Sequence, residues 1–209
     1  RLALALARDT VAAAVAATAV RHVLVISSDP AVAMEVGALG AEVVPDPGRR
    51  LNGALRHGAA LLRSRDPHAA LGALQADLPA LRPAELDDAV AAAAVLFAAG
   101  ATRAFQPDAP GEGTTLLLVA PGHDLDPHFG RGSAARHSAS GARPLPGDRP
   151  GLRRDVDTAA DLDDAVALGV GVWTRAVVDA RHGPPATPHP PGCPPPGDAV
   201  ARRCGTPRT

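Results

Sequence analysis

The chain predicts an α/β domain built on a mostly parallel sheet. Short apolar runs such as residues 23–27 (Val-Leu-Val-Ile-Ser) alternate with longer alanine-rich stretches of helical period. The 209 residues suit one domain with a sizeable core and are too few for two comfortable ones. Apolar residues make up 46% of the chain and aromatics 2%, so that core must be assembled from alanine, valine and leucine.

In order along the chain, residues 2–17 read as a helix, 23–27 as a buried strand, 31–39 as a helix closed by Gly40, and 42–44 as a short strand. Residues 52–65 form the next helix, 69–75 a strand, and 83–99 a long alanine-rich helix ending at Gly100. An uninterrupted strand covers 114–120, and helices follow at 133–138 and 158–168. Thr158 with Asp161 three residues on has the pattern of a capping box. This βαβ rhythm predicts a Rossmann-like arrangement with helices on both faces and right-handed crossovers. Residues 1–181 form one domain on this reading. The proline runs of 182–209 have little to bury and are expected to be disordered.

Composition excludes several functions. Net charge is -1, with every one of the 21 basic residues an arginine, and no basic cluster is interleaved with aromatics, so nucleic acid is not an expected partner. The alanine-rich opening contains Arg8, Asp9 and Thr10, which favours a surface-packed helix over a membrane span. Cys193 and Cys204 both lie in the tail and leave the expected core free of thiols, consistent with a cytoplasmic setting.

Chemistry concentrates at three places. The apolar run ending at Gln75-Ala76-Asp77-Leu78-Pro79 puts Asp77 at the C-terminal tip of a strand, where ligands of open α/β sheets bind. With no cation beside it in sequence, Asp77 reads either as a ligand for Mg2+ facing a nucleotide phosphate or as a cap on the helix near Pro83. In Arg153-Arg154-Asp155-Val156-Asp157-Thr158, two carboxylates two residues apart project to one side of an extended segment. Asp155 is the second expected metal ligand, the alternative being an ion pair with Arg153 or Arg154; Asp157 reads as a helix cap. The third place is Gly111-Glu112-Gly113-Thr114-Thr115 together with Phe129-Gly130-Arg131-Gly132-Ser133, whose glycines and hydroxyls suit either a small phosphate pocket or ordinary turns. His137 is expected to lie on a helix surface.

Taken together, residues 75–81, Gly113-Thr114, Phe129-Gly130 with Ser133, Arg136-His137 and residues 151–158 resemble, in order and spacing, the guanylyltransferases of coenzyme F-420 biosynthesis. These are the phosphoenolpyruvate guanylyltransferases of actinobacteria and the similar archaeal 2-phospho-L-lactate enzymes. The resemblance runs over residues 1–181. It implies a single GT-A-like nucleotidyltransferase domain that joins phosphoenolpyruvate (or 2-phospho-L-lactate) to GMP from GTP, releasing pyrophosphate. By matched position it implies Asp77 and Asp155 as catalytic holders of Mg2+, Thr114, Gly130 and Ser133 as binders of phosphoenolpyruvate, and Asp46 and Asn52 as nucleotide-binding residues lining the cleft. Family members open with a strand and a lysine- and arginine-bearing loop, whereas this sequence opens within a helix. That difference predicts an N-terminally truncated domain with weak folding and no transferase activity from these residues alone. The competing readings are another nucleotidyltransferase of the same fold acting on a sugar or cofactor phosphate, a glycosyltransferase using a nucleotide sugar, and a non-catalytic remnant that only binds nucleotide.

Overall fold

Local signals set the helix boundaries. In the computed structural model, which describes residues 1–48 and 50–182, α2 (Pro30–Gly37) starts at Asp29, whose carboxylate accepts the Ala31 N–H at 2.8 Å, with proline at the first helical position. In α7 (Ala159–Leu168) the expected capping box is present: Thr158 Oγ1 accepts the Asp161 N–H while the Asp161 carboxylate accepts the Thr158 N–H at 2.8 Å. In α4 (Pro83–Ala98) the Glu85 carboxylate takes the N–H of Arg82. The tail expected over 182–209, including both cysteines, lies outside the described residues apart from the end of the last helix.

The strands form two sheets. In the first, β1 (Leu24–Ile26) pairs in parallel with β2 (Glu42–Val44). The second has the order β3 (Leu71–Leu74), β5 (Thr114–Val119), β4 (Arg103–Pro107), β6 (Arg143–Pro144). Its β4–β6 pairing is parallel, while β5 runs antiparallel to both β3 and β4. Three of the four strands therefore point the same way, and β5 is the reversed one. The reversal follows from the short connection between β4 and β5, since a parallel partner would need a crossover of a dozen or more residues. β5 is buried along its whole length, as its unbroken Thr-Thr-Leu-Leu-Leu-Val run predicts.

Helices bridge the two sheets. On α1 (Leu2–Ala16), Val11 packs into the cluster around Val36, Val25 and Val43, while Ala13 and Ala14 belong to the main core with Leu78, Ala89, Leu116 and Leu152. On α3 (Arg50–Arg65), Leu55, Ala59 and Leu62 cover Leu71, Ala73 and Leu117. The same helix presents Gly58 to β1, so close that a Cβ there would stand 2.7 Å from Ile26 Cδ1. Small residues on both helices let them lie close to the strands, the use to which this alanine-rich composition is put.

Five further elements are α5 (Ser133–Ala139), α6 (Pro150–Arg153), α8 (Val172–His182) and, among the strands, β4 and β6, of which only α5 was expected. β4 escaped detection because its Arg-Ala-Phe-Gln-Pro sequence carries polar residues into the core. Gln106 is 2% exposed and is satisfied by Arg149, whose Nη1 donates to its Oε1 at 3.1 Å. Arg149 is itself buried and pairs with Asp88 at 2.7 Å. α8 is capped from the other end of the chain by Asp9, whose Oδ2 accepts the Thr174 N–H at 2.8 Å. No helix among the described residues is long and apolar enough to cross a membrane.

Candidate active site

Two short loops and the end of one strand carry the acidic residues. Asp77 lies just beyond β3, and Thr10 of α1 holds the backbone on either side of it: the Thr10 hydroxyl lies 3.2 Å from the Ala76 carbonyl and accepts the Leu78 N–H at 2.9 Å. The Asp155 segment is docked onto the same loop, with the Val156 N–H donating to the Asp77 carbonyl at 3.1 Å. α6 anchors that segment from behind, its Gly151 N–H donating to Glu85 Oε1 at 2.8 Å. Gly151 is required by close approach, because a Cβ would lie 2.2 Å from the Ala80 carbonyl oxygen.

Helix position and electrostatics bear on what the two acids do. α4 begins at Arg82, so Asp77 caps nothing there, and its Oδ1 is buried without a hydrogen-bond partner among the described residues. Burial raises its pKa, opposed by its own backbone N–H, and the charge of Asp157 raises it further. Asp155 is pushed up to about 6, first by burial and then by the charges of Asp77, Asp108 and Asp157. The arginines beside it are engaged elsewhere: Arg153 donates to the Asp108 and Ala109 carbonyls, and Arg154 pairs with Asp161 and Asp164. A set of carboxylates held together without cations carries an electrostatic cost that a divalent ion relieves. Among the described residues no three histidine, cysteine or acidic side chains are grouped so that they could hold a metal ion. A hard cation at Asp77 and Asp155 would have to take most of its oxygens from phosphate and water.

Asp108 was missed by sequence reasoning. One of its oxygens accepts the N–H groups of Gly111 (2.7 Å) and Glu112 (2.9 Å), and the other accepts that of Gly113 (2.7 Å). It thereby shapes the turn that delivers Thr114, and Gly113 is demanded there, since a Cβ would sit 2.3 Å from Asp108 Oδ2. The Asp-Ala-Pro-Gly sequence was the available signal, since aspartate at the head of a glycine-bearing turn commonly bonds its own following amides.

Gly130 and Ser133 share one turn, and Thr114 is linked to that loop through His137. Thr114 opens β5 and Ser133 opens α5, and both are buried. Gly130 is exposed, with φ +116 that only glycine adopts without strain, and its carbonyl accepts the Ser133 N–H at 3.0 Å. Arg136 stitches this loop, donating from Nε and Nη2 to the His128 carbonyl and from Nη1 to that of Arg131. His137 is not the surface residue expected. It is fully buried against Phe105, Phe129 and His128, bonded to Thr114 Oγ1 at 2.9 Å and to the His128 N–H at 3.0 Å.

Asn52 sits beside this loop, with its amide oxygen accepting the Phe129 N–H at 2.9 Å and its amide nitrogen donating to the Phe129 carbonyl at 3.1 Å. Its side chain thus fixes the Gly130 loop to α3. A cleft of about 800 Å³ opens between them, lined by Arg50, Leu51, Asn52, Arg56, His57, Phe129 and Gly130. Arg50 adopts φ +56 at the mouth. Asp46 is exposed on the loop after β2, where its carboxylate accepts the Gly48 N–H at 2.8 Å; it bonds to none of the other candidates. A larger cavity of about 920 Å³ lies at the opposite strand ends, beside Leu71 and Arg103, and none of the candidates lines it.

No family model matches the sequence. Similar proteins do. A phosphoenolpyruvate guanylyltransferase of Geodermatophilus obscurus is 57% identical over 179 residues, covering 85% of this chain and 79% of that protein. The chain belongs to the phosphoenolpyruvate guanylyltransferase family. The family member of Thermomonospora curvata is 56% identical, covering 84% of this chain and 76% of its own length, and that of Nocardia farcinica is 48% identical, covering 85% and 78%. The architecture also resembles a crystal structure from Desulfovibrio desulfuricans assigned as a nucleotide-diphospho-sugar transferase. That likeness, with TM-score 0.55 and 15% identity over 78% of this chain and 71% of the other, is one of fold alone.

Proposed function

We propose that the protein transfers GMP from GTP to phosphoenolpyruvate, within coenzyme F-420 biosynthesis. A phosphate oxygen of phosphoenolpyruvate attacks the α-phosphorus of GTP, the bond from that phosphorus to the β-phosphate bridge oxygen breaks, and pyrophosphate leaves. The product is enolpyruvyl-diphospho-guanosine, with no bond to the enzyme at any stage. The attacking phosphate is already ionised at neutral pH, so no general base is required. Catalysis then rests on alignment and charge neutralisation.

The observation that carries this reading is the buried, partnerless Oδ1 of Asp77 beside the raised carboxylate of Asp155. These two residues would hold Mg2+, which when bound neutralises charge on the phosphates and the departing pyrophosphate. The chain's own residues supply the rest. Ser133 and Thr114 offer hydroxyls, and the Gly130 loop its backbone, to the small anionic substrate. The open cleft beside them, with Arg50 and Arg56 at its wall, has room and charge for the nucleotide.

The test is pyrophosphate release by the full-length protein supplied with GTP and phosphoenolpyruvate, with and without a chelator. Turnover that depends on the metal is expected, and Asp77→Asn should lower it by ~10²-fold, the usual cost of losing one electrostatic contact to a transition state. Persistent turnover in excess chelator, or an Asp77→Asn protein of near-normal rate, would overturn the metal assignment. Offering 2-phospho-L-lactate in place of phosphoenolpyruvate, and ATP in place of GTP, ranks the substrates by kcat/KM.

A further inference from the structure

We infer that His137 is the positioning residue of the small-acid pocket: its ring holds the Thr114 hydroxyl as an acceptor, which leaves the hydroxyl proton free to be donated to substrate. This rests on the reading of that pocket as the phosphoenolpyruvate site.

The inference follows from which atom can donate to which. The backbone N–H of His128 reaches His137 Nε2 at 3.0 Å, and an amide N–H can only donate, so Nε2 must present a lone pair. A neutral imidazole with a lone pair on Nε2 carries its hydrogen on Nδ1. Nδ1 lies 2.9 Å from Thr114 Oγ1, and must therefore be the donor in that bond. The hydroxyl's own hydrogen is left unspent. Had the ring been the other tautomer, Thr114 would have given its proton to the histidine and could only accept from a ligand.

The surroundings hold the ring in this state. Burial first, then the positive charges of His128, Arg136 and Arg103, lower the His137 pKa to about 4, against which Asp126 acts weakly in the other direction. Asp126 is itself paired with Arg103 at 2.5 Å and His128 at 3.1 Å. Phe105 and Phe129 flank the imidazole at centroid distances of 5.7 and 5.3 Å and fix its plane. A histidine buried only for packing would leave the pocket unconnected to it. Here one ring refers all three expected substrate contacts to each other: Thr114 directly, the Phe129–Gly130 loop through the His128 amide, and Ser133 through the α5 turn they share.

Two substitutions separate its bonds. In His137→Gln the longer amide reaches the Nε2 position and can still accept from the His128 N–H, but nothing replaces Nδ1–H. In His137→Asn the amide N–H overlays Nδ1 and keeps the donor to Thr114. For the full-length protein we expect His137→Gln to raise KM for phosphoenolpyruvate about tenfold, as befits one lost hydrogen bond, with KM for GTP within about twofold of wild type. His137→Asn should restore KM for phosphoenolpyruvate, and His137→Gln should add nothing in a Thr114→Val background. ¹⁵N NMR of the unliganded protein at neutral pH should show the Nδ1–H tautomer, a readout independent of turnover. An Nε2–H or doubly protonated ring, equal rises in both KM values, or additive effects of the His137 and Thr114 substitutions would overturn the inference. A wild-type protein that turns over GTP and phosphoenolpyruvate normally while His137→Gln leaves KM untouched would defeat this inference alone. A wild type with no turnover at all would instead defeat the proposed function, and this assignment with it.

Discussion

At the scale of single residues, Asp155 stores the clearest conflict between stability and function. Its pKa is about 6 in the folded chain and 3.8 when unfolded, so between these values the folded state binds more protons. Stability from this group is thus present at low pH and is lost as pH rises through that window. Asp155→Asn removes the penalty. We expect it to melt higher than wild type at pH 7.5, by roughly 1–2 kcal/mol after allowing for partial exposure, and to melt alike near pH 3.5. Magnesium should raise the wild-type melting temperature and not that of the variant. Thermal melts at the two pH values check this, and a variant no more stable at pH 7.5 would show that the carboxylate is already compensated. Asp77 stood out in the sequence because it follows an apolar run with no cation beside it, and Asp155 because Asp157 stands two residues on; that Arg153 and Arg154 are engaged elsewhere is visible only in the structure. His137 did not stand out. Its partners lie 23 and 9 residues away, and nothing local in Ser-Ala-Ala-Arg-His-Ser tells a buried imidazole from a surface one.

At the scale of elements, α6 acts as a spacer that sets the distance between the two acidic segments. Gly151 is its contact point, with the Ala80 backbone and the Glu85 carboxylate on the side where a methyl would go. Gly151→Ala is expected to destabilise the fold by about 1–3 kcal/mol, the ordinary range for overpacking. It should also lower turnover more than its stability loss explains, because the displacement carries Asp155 away from Asp77. Comparing activity with the melting curve at a temperature where both proteins are fully folded separates the two effects. The elements with clean apolar periodicity, α1 to α4 and β5, were readable, and the Thr158 capping box marked α7. α6, β4 and β6 were not, because they are stabilised by partners distant in sequence: Glu85 for α6, Arg149 for β4, and β4 itself for β6. Asn52 shows the same limit from the other side. Its place by the cleft was legible, yet the structure shows its amide bonded at both ends to the backbone of Phe129.

At the scale of the whole molecule, the α/β class was legible from the alternation of runs, whereas the reversal of β5 was not, since strand direction depends on a connection rather than on composition. The family resemblance drew together segments from residue 75 to residue 158, and the structure gathers most of them around one end of the four-stranded sheet. The division into two sheets has a dynamic consequence. Among the described residues the β1–β2 ladder shares no hydrogen bond with the other sheet and is held by side-chain packing of α1 and α3. A pair of strands secured in this way can open as a unit while its larger neighbour stays closed. In deuterium, the amide protons of Ser27 and Glu42, bonded to Val44 and Val23, should therefore exchange through a local opening well before those of Leu116 to Leu118 in doubly paired β5. Equal protection in both sheets would mean that they unfold together. The Asp46 N–H ties the loop after β2 to Ser28 in the loop after β1, shortly before α3, whose first turn lines the cleft, so a nucleotide bound there would slow exchange in this ladder first.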